Sequence, residues 1–238
     1  WHVVIQQKKL AEENGLPYEI PLQLNPVIAD RVRSGRVSAI NSADLRLNNQ
    51  LQRLAVKESR LHIPLLVGQD VIHGFRTIFP IPLAESCTWD PDLLERASRA
   101  AAVEASTVGI NWIFAPMVDI ARDPRWGRIA EGAGEDPFLG MAMARARVKG
   151  FQSRDLPAGR RISACPKHYA GYGAAEAGRD YNTVDMSERT LRDVYLPPFK
   201  AAFDAGAGST MSAFNEIGGV PGTCNTFLLR AILREEWG

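Results

Sequence analysis

Charged and aromatic side chains follow the short apolar runs of this sequence, and their types suit the binding of a polyhydroxylated ring. Asp70 can accept hydrogen bonds from two hydroxyl groups at once. The hydrogen-bond donors are Arg128, Lys167, His168 and Arg179. Flat apolar faces are offered by Trp126, Tyr169, Tyr172 and Phe214. A sugar has polar edges and apolar C–H faces, so the mixture favours a carbohydrate, but it would also accept a phosphate or a carboxylate.

The same residues also have purely structural interpretations. An aspartate after a strand, such as Asp70, is as often a helix cap as a ligand-binding group. Arg128 lies close in sequence to Glu131, and the two could form a surface ion pair of little energetic value. Lys167 and His168 are the stronger candidates, because they follow an apolar run and precede a glycine-rich segment. Functional groups concentrate on such loops when a rigid scaffold holds them.

Apolar runs and helical segments alternate along the chain. Continuous runs of apolar or small residues, typical of strands buried on both faces, predict strands at 37–40, 64–68, 112–116, 162–165 and 209–213. Asp90 and Asp136 each precede a proline and predict helix starts. Asp185 with Glu188 forms a capping-box pattern before a third helix. The prolines at 197–198 should kink or shorten that helix.

Strands that alternate with helices predict an α/β fold with a parallel sheet. No GxGxxG motif follows the early strands, which disfavours an open dinucleotide-binding sheet. Polar residues instead cluster directly after several different strands, as at the active-site end of a (β/α) barrel. We therefore expect a (β/α)8 TIM-like barrel, incomplete in this chain because about five strands are visible where the full fold has eight.

Composition excludes several classes of protein. The 238 residues carry 28 basic and 27 acidic side chains, so nothing indicates a nucleic-acid or membrane partner. No apolar run approaches the roughly 20 residues that a membrane span requires. Cys87, Cys165 and Cys224 are far apart, which predicts buried inert thiols and neither a zinc site nor a disulfide framework. We see no metal constellation and expect no cofactor.

Separated motifs, in order, resemble glycoside hydrolase family 3, and in particular its bacterial periplasmic β-glucosidase branch. They are residues 60–66, 69–74, 115–119, 122–128, 134–137, 167–173, 178–182, 211–215 and 219–221. The resemblance covers about residues 35–238, whereas residues 1–30 match nothing that we can place. It implies a periplasmic or secreted glycosidase.

The family resemblance implies that one terminal sugar is held in a dead-end subsite. The residues carried over to this subsite are Asp70, Arg128, Lys167, His168, Arg179, Met211 and Phe214. Asp70 would bind the hydroxyls farthest from the scissile bond, and Lys167 and His168 would surround the same ring. Phe214 stands where many members carry tyrosine, so a hydroxyl that usually contacts the nucleophile is missing here.

The same resemblance implies retaining β-glycoside hydrolysis by an exo-acting β-glucosidase or β-xylosidase. Its nucleophilic aspartate and its acid/base are expected beyond Gly238, so no catalytic residue is assigned within this chain. Residues 1–238 would be the N-terminal part of the catalytic barrel, followed by the rest of the barrel and a second α/β domain. The segment alone is expected to be inactive. Its expected partners are a β-linked oligosaccharide or an aryl or alkyl glucoside, and the remainder of its own polypeptide.

Other functions remain open at this point. A strand-end lysine such as Lys167 could form a Schiff base in an aldolase-type barrel. The chain could also be a sugar-binding or structural segment without catalysis. Within the enzyme class, phosphorolysis in place of hydrolysis is a further alternative.

Overall fold

The computed structural model of the protein describes residues 24–157 and 160–238. These residues fall into two compact units. Residues 24–38 and 46–65 belong to the first unit, and residues 39–45 and 66–238 belong to the second. Every site residue that the sequence predicts lies in the second unit.

Helices of three kinds occur in the described residues. The α-helices are α1 (Pro26–Arg33), α2 (Leu45–Arg53), α3 (Pro82–Ser86), α4 (Pro91–Ser106), α5 (Pro137–Phe151), α6 (Glu188–Thr190) and α7 (Pro197–Asp204). The π-helical segments are Leu54–Glu58, Leu191–Tyr195 and Phe227–Glu236. The 3₁₀ turns are Ile129–Glu131, Tyr172–Ala174, Glu176–Gly178 and Gly222–Cys224.

In the first unit, α1 packs against the π-helical segment Leu54–Glu58. Asn25 caps α1, because its side chain accepts a hydrogen bond from the Val27 backbone N–H at 2.9 Å. Arg33 pairs with Glu58 at 2.8 Å, between two half-exposed side chains, so this pair contributes little stability.

The strands of the second unit are short. They are β1 (Ala39–Asn41), β2 (Leu66–Gln69), β3 (Trp112–Ile113), β4 (Ser163–Ala164), β5 (Lys167–Tyr169), β6 (Met211–Ser212), β7 (Glu216–Ile217) and β8 (Val220–Pro221). The first four form one parallel sheet in chain order, and β5 pairs with β6 in parallel. The α/β class with a parallel sheet is confirmed, but the strand pairings of the described residues do not close into a barrel.

Each predicted strand overlaps an observed one, but the observed strands are shorter. Prolines explain part of the difference, because a proline has no N–H to donate to a ladder. Pro116 follows β3, and Pro166 separates β4 from β5. Pairing nevertheless continues past these strands, since Cys165 N–H donates to the Ala115 carbonyl at 2.9 Å and Lys167 N–H donates to the Pro116 carbonyl at 3.0 Å. The apolar runs are therefore neighbours in space, although they are not continuous regular strands.

Two of the three predicted helix caps are confirmed. Asp90 accepts from the Leu93 N–H at 2.9 Å, and Asp136 accepts from the Leu139 N–H at 2.7 Å. The capping box predicted from Asp185 and Glu188 is wrong, as shown by the geometry of α6. Its cap is Ser187, whose hydroxyl accepts from the Thr190 N–H, since α6 begins two residues later than the pattern implied.

The prolines at 197–198 break the third helix as expected. The π-helical segment Leu191–Tyr195 ends just before them, and α7 begins at Pro197, where a missing N–H costs nothing. Helices α4 and α5 pack against each other, and α5 also packs against α7. These three helices pack against the apolar core, to which the strands also contribute.

Two further expectations have clear outcomes. Cys165 is buried as predicted, but the prediction is wrong for Cys87 and Cys224, which are exposed at the ends of short helical turns. Among the described residues, none of the helices combines the length and the apolar character of a membrane span.

Candidate sugar-binding site

The centre of the candidate site is an ion pair between Asp70 and Lys167. Asp70 directly follows β2, and Lys167 opens β5. The Lys167 Nζ donates to the Asp70 Oδ2 at 2.9 Å. The lysine side chain is only 3% exposed, whereas the aspartate side chain is 55% exposed. Asp70 is thus the accessible end of a pair whose cation is buried, and it is not a helix cap.

His168 is buried beside Lys167 and is held by Asp119. Asp119 Oδ2 accepts two hydrogen bonds at 2.9 Å, one from the backbone N–H of His168 and one at its Nδ1. Both side chains are almost fully buried. The sequence predicted no role for Asp119, which appears there only within the family motif 115–119. Its position after an apolar run was the same signal that selected Asp70 and Lys167.

Arg128 is oriented by a carboxylate and an aromatic ring. Its Nε and Nη2 donate to the two oxygens of Glu131 at 2.7 and 2.9 Å, and its guanidinium lies 5.5 Å from the Tyr172 ring centre. These contacts raise the pKa of Arg128 above its ordinary value. The interpretation of this contact as a surface ion pair of little energetic value therefore understates it, because both side chains are largely buried and the pair is bidentate.

The Glu131 carboxylate is also held in its charged form. Burial acts to raise its pKa, but the hydrogen bonds from Arg128 and the positive charges of Arg128, Lys167 and His168 outweigh burial, so the pKa is lowered. Among the described residues, the contact that orients the Glu131 carboxylate is its bidentate pair with Arg128. Glu131 was not singled out by the sequence as a site residue.

The polar residues pack against two buried aromatic side chains, Trp126 and Tyr172. Tyr172 packs edge-on against Trp126 and against His168, with ring centres 5.1 Å apart in each case. Asp180 accepts hydrogen bonds from the Trp126 Nε1 and from the Tyr172 hydroxyl. Burial opposes ionisation of Asp180, but these hydrogen bonds lower its pKa on balance. Trp126 is therefore a buried support and offers no free face to a ligand.

Phe214 and Met211 lie at the open side of the cluster. Met211 is paired with Lys167 in the β5–β6 register. The Phe214 ring centre is 5.1 Å from that of His168 and 5.3 Å from that of Tyr181. Phe214 is 53% exposed and Tyr181 is 63% exposed. These two rings form an accessible apolar wall next to the buried histidine.

Two predicted groups lie apart from the cluster. The Arg179 side chain is exposed and makes no hydrogen bond or ion pair with another described residue, so its role stays a prediction. Tyr169, expected to present a flat face to a ligand, is instead fully buried, and its hydroxyl donates to the Leu228 carbonyl at 3.0 Å. That expectation is wrong, because Tyr169 belongs to the core side of β5.

Six of the seven predicted residues therefore share one region: Asp70, Arg128, Lys167, His168, Met211 and Phe214. Each cation in this group has its own carboxylate partner. The arrangement can offer acceptors and donors to hydroxyl groups together with an apolar wall, and it carries little excess charge.

Residues 24–238, which include this whole cluster, match the Glycosyl hydrolase family 3 N terminal domain. The chain therefore belongs to glycosyl hydrolase family 3. The resemblance inferred from the motifs is confirmed.

Individual relatives agree with this assignment. The chain is 44% identical over 213 residues to the periplasmic beta-glucosidase of Salmonella typhimurium, which covers 89% of this chain and 28% of that protein. It is 37% identical over 197 residues to a beta-xylosidase of Formosa agariphila, with 77% and 27% covered. The crystal structure of a beta-glucosidase from Listeria innocua in complex with glucose is similar with a TM-score of 0.80 at 43% identity, covering 84% of this chain and 28% of that one. The chain spans less than a third of the length of these relatives.

The pKa of Glu131 leads to a prediction about acid stability. Because its folded-state pKa is lowered, the Arg128–Glu131 pair stabilises the fold above the unfolded-state pKa of about 4.3, and this contribution is lost as the pH falls through the folded-state value. We expect Glu131→Gln to lower Tm near neutral pH and to weaken the dependence of Tm on pH below about pH 5. The check is a series of thermal melts from neutral to acidic pH.

The matched control is Glu176→Gln. Glu176 is exposed, and its carboxylate makes no ion pair with another described residue, so its replacement should leave both Tm and its pH dependence unchanged. Parallel pH profiles for the wild type and Glu131→Gln would contradict the prediction.

Proposed function

We propose that the polypeptide containing these residues is a retaining β-glycosidase that removes a terminal β-linked glucose or xylose. In this proposal the described segment supplies the subsite for that sugar, with Asp70 as the main anchor of its hydroxyls. The observation that carries the proposal is the accessible Asp70 carboxylate bound to the buried Lys167, in the region that also holds the donors His168 and Arg128. Met211, Phe214 and Arg179 would complete the subsite.

Charge pairing supports a neutral ligand over an anionic one. Lys167 is paired with Asp70, His168 with Asp119, and Arg128 with Glu131. A phosphate or carboxylate ligand would have to compete with these carboxylates or approach them, and like charges in a buried site are costly. Hydroxyl groups can instead bind both the exposed Asp70 carboxylate and the donors beside it, since a hydroxyl both donates and accepts. The same reasoning favours water over phosphate as the attacking group.

The relatives support the substrate class. Those named above are a β-glucosidase, a β-xylosidase and a β-glucosidase bound to glucose. A further structure of the Listeria innocua enzyme, similar with a TM-score of 0.83, contains laminaribiose. An accessible β-linked disaccharide or an aryl or alkyl glucoside would then be the substrate, in the periplasm or outside the cell.

The chemistry of retention requires two carboxyl groups about 5–5.5 Å apart, one to attack and one to protonate the leaving oxygen. Two carboxylates of this region already serve other groups: the buried Asp119 holds His168, and the exposed Asp180 accepts from Trp126 and Tyr172. We infer that both catalytic carboxyls come from other parts of the polypeptide, which would also complete a (β/α)8 barrel and add a second α/β domain. The 238 residues would then bind and position the sugar without cleaving it.

The aldolase alternative is disfavoured by the Lys167 environment. A Schiff-base lysine needs a free Nζ to attack a carbonyl. The Lys167 Nζ is instead engaged in a hydrogen bond to the Asp70 carboxylate at 2.9 Å.

The test is hydrolysis of 4-nitrophenyl β-D-glucoside and β-D-xyloside by the complete polypeptide, with the product anomer followed by proton NMR. We expect the β-anomer to appear first and the 238 residues alone to release no nitrophenol above background. Initial release of the α-anomer would overturn retention. Glucose binding without hydrolysis by the complete polypeptide would point to a binding segment, and a strict requirement for phosphate would point to phosphorolysis.

A further inference from the structure

We infer that Asp119 is a positioning residue, whose carboxylate fixes the His168 ring so that Nε2 is the ring nitrogen offered to the sugar. This inference rests on the proposed sugar-binding function of His168. It assigns to Asp119 a task that it performs through another residue, without contact to the substrate.

The first argument is the double contact between the two residues. One oxygen of Asp119, Oδ2, accepts from both the backbone N–H and the Nδ1 of His168, each at 2.9 Å. The backbone contact fixes the position of the His168 main chain, and the ring contact fixes the orientation of the imidazole. With Nδ1–H donating to a carboxylate, Nε2 is left as the acceptor of a neutral ring or as the second donor of a protonated one.

The second argument is that the ring has little freedom to turn otherwise. Tyr172 packs edge-on against it at 5.1 Å, and Phe214 lies against it at the same centre-to-centre distance. No described residue hydrogen-bonds Nε2, while Phe214, which borders the ring, is half-exposed. Nε2 of His168 therefore lies on the side of the ring from which a ligand can approach.

The third argument is the free-energy cost of burying the Asp119 carboxylate. The residue is only 3% exposed, and its second oxygen, Oδ1, accepts no hydrogen bond from the described residues. A buried carboxylate with one oxygen unpaired contributes little to the stability of a fold, because its hydrogen bonds do not offset the free energy of desolvation. The presence of Asp119 is better explained by its effect on the histidine.

The experiment replaces Asp119 by Asn in the complete polypeptide. Asn has the same shape but no charge, so its carbonyl oxygen holds the two donors of His168 less strongly than the carboxylate does, and an amide turned the other way would present its N–H₂ group to both of them. We expect kcat/KM for a β-glucoside to fall about 10- to 100-fold, by analogy with the loss of a carboxylate that orients a metal-ligating histidine. Rates are expressed per folded molecule, so that a loss of stability alone does not imitate the effect.

A double-mutant cycle separates positioning from structure. In a His168→Ala background, Asp119→Asn should cause no further loss of kcat/KM, because the residue through which Asp119 acts is gone. Equal losses in both backgrounds, or an unchanged kcat/KM in the single variant, would overturn the inference. If Asp119→Asn does not fold, the smaller Asp119→Ser carries the same expectations.

The matched control is Glu85→Gln, which alters another buried ion pair. Glu85 on α3 pairs with Arg147 on α5, and both side chains are less than a tenth exposed. We expect Glu85→Gln to lower Tm while kcat/KM per folded molecule stays unchanged. A loss of kcat/KM in this control equal to that in Asp119→Asn would mean that any disturbance of a buried pair has the same effect, and would overturn the positioning role.

A spectroscopic measurement tests the inference independently of the enzyme's activity. In ¹⁵N-histidine-labelled protein, the His168 signals, assigned by their loss in His168→Ala, should show a proton on Nδ1 in the wild type and a changed pattern in Asp119→Asn. An absence of glycosidase activity together with this pattern would refute the proposed function and leave the positioning intact. A wild-type His168 with its proton on Nε2 alone would refute the positioning.

Discussion

Replacing Asp70 by Ala should reduce kcat/KM for a β-glucoside about 30- to 1,000-fold in the complete polypeptide, which corresponds to about 2–4 kcal/mol. Two effects combine in this result. The sugar hydroxyls lose a charged acceptor, and Lys167, whose side chain is 3% exposed, loses the carboxylate at 2.9 Å that compensates its buried charge. The measurement is steady-state kinetics on an aryl β-glucoside, with Tm recorded in parallel.

The control for this variant is another Lys–Asp pair of the same chain. Lys200 and Asp204 are paired on α7, and both side chains are substantially exposed. Asp204→Ala should leave kcat/KM unchanged and cost at most about 0.5 kcal/mol of stability, as is usual for surface pairs one helical turn apart. Near-normal kinetics in Asp70→Ala would show that Asp70 only neutralises Lys167 and does not bind the substrate.

A large structural effect is expected from Gly173→Ala. A methyl group at this position would overlap the backbone carbonyl of Ile120 and lie 3.3 Å from the Trp126 ring. Neither neighbour is a flexible side-chain end, so the backbone beside Asp119 must move. We expect a loss of about 3 kcal/mol or more, measured as a large drop in Tm or in soluble yield.

Gly127→Ala is the matched control, because nothing lies within 4 Å of the position that its methyl group would occupy. This variant should melt within a degree or two of the wild type, since a surface substitution typically changes stability by no more than about 0.5 kcal/mol. If Gly173→Ala melted at the same temperature, the close approach of residues 120 and 173 would not be required by the fold.

The sequence predicted the positions of the strands better than their lengths. Apolar runs identify segments that must be buried, and the segments 64–68, 112–116 and 162–165 do lie side by side. The sequence could not show where prolines interrupt the ladder, nor that Ser187 rather than Asp185 caps α6, because both depend on local hydrogen bonds. Apolar runs also carry no information on barrel closure, since closure depends on strands that pair across the whole sheet.

The sequence predicted those site residues that directly follow strands. It did not predict the residues that hold these side chains in place. Lys167 and His168 were found because their types and positions are unusual. Asp119 was missed as a partner, because nothing in a linear sequence shows that a carboxylate 49 residues away accepts from a histidine, whereas Glu131 was expected to pair with Arg128 but only on the surface. Tyr169 was misassigned for a related reason, since it follows His168 directly but belongs to the opposite side of its strand.

The one-to-one pairing of cations with carboxylates also determines how a substrate reaches the site. The proposed substrate, a neutral sugar, would respond little to a long-range field, so its encounter with the site would depend on diffusion and on short-range contacts formed after water leaves. Salt in solution screens charges over about 8–10 Å and has little to act on here. Changes in ionic strength would therefore leave substrate capture almost unaltered, whereas the loss of a single carboxylate would expose a cation and make capture depend on the salt in the surroundings.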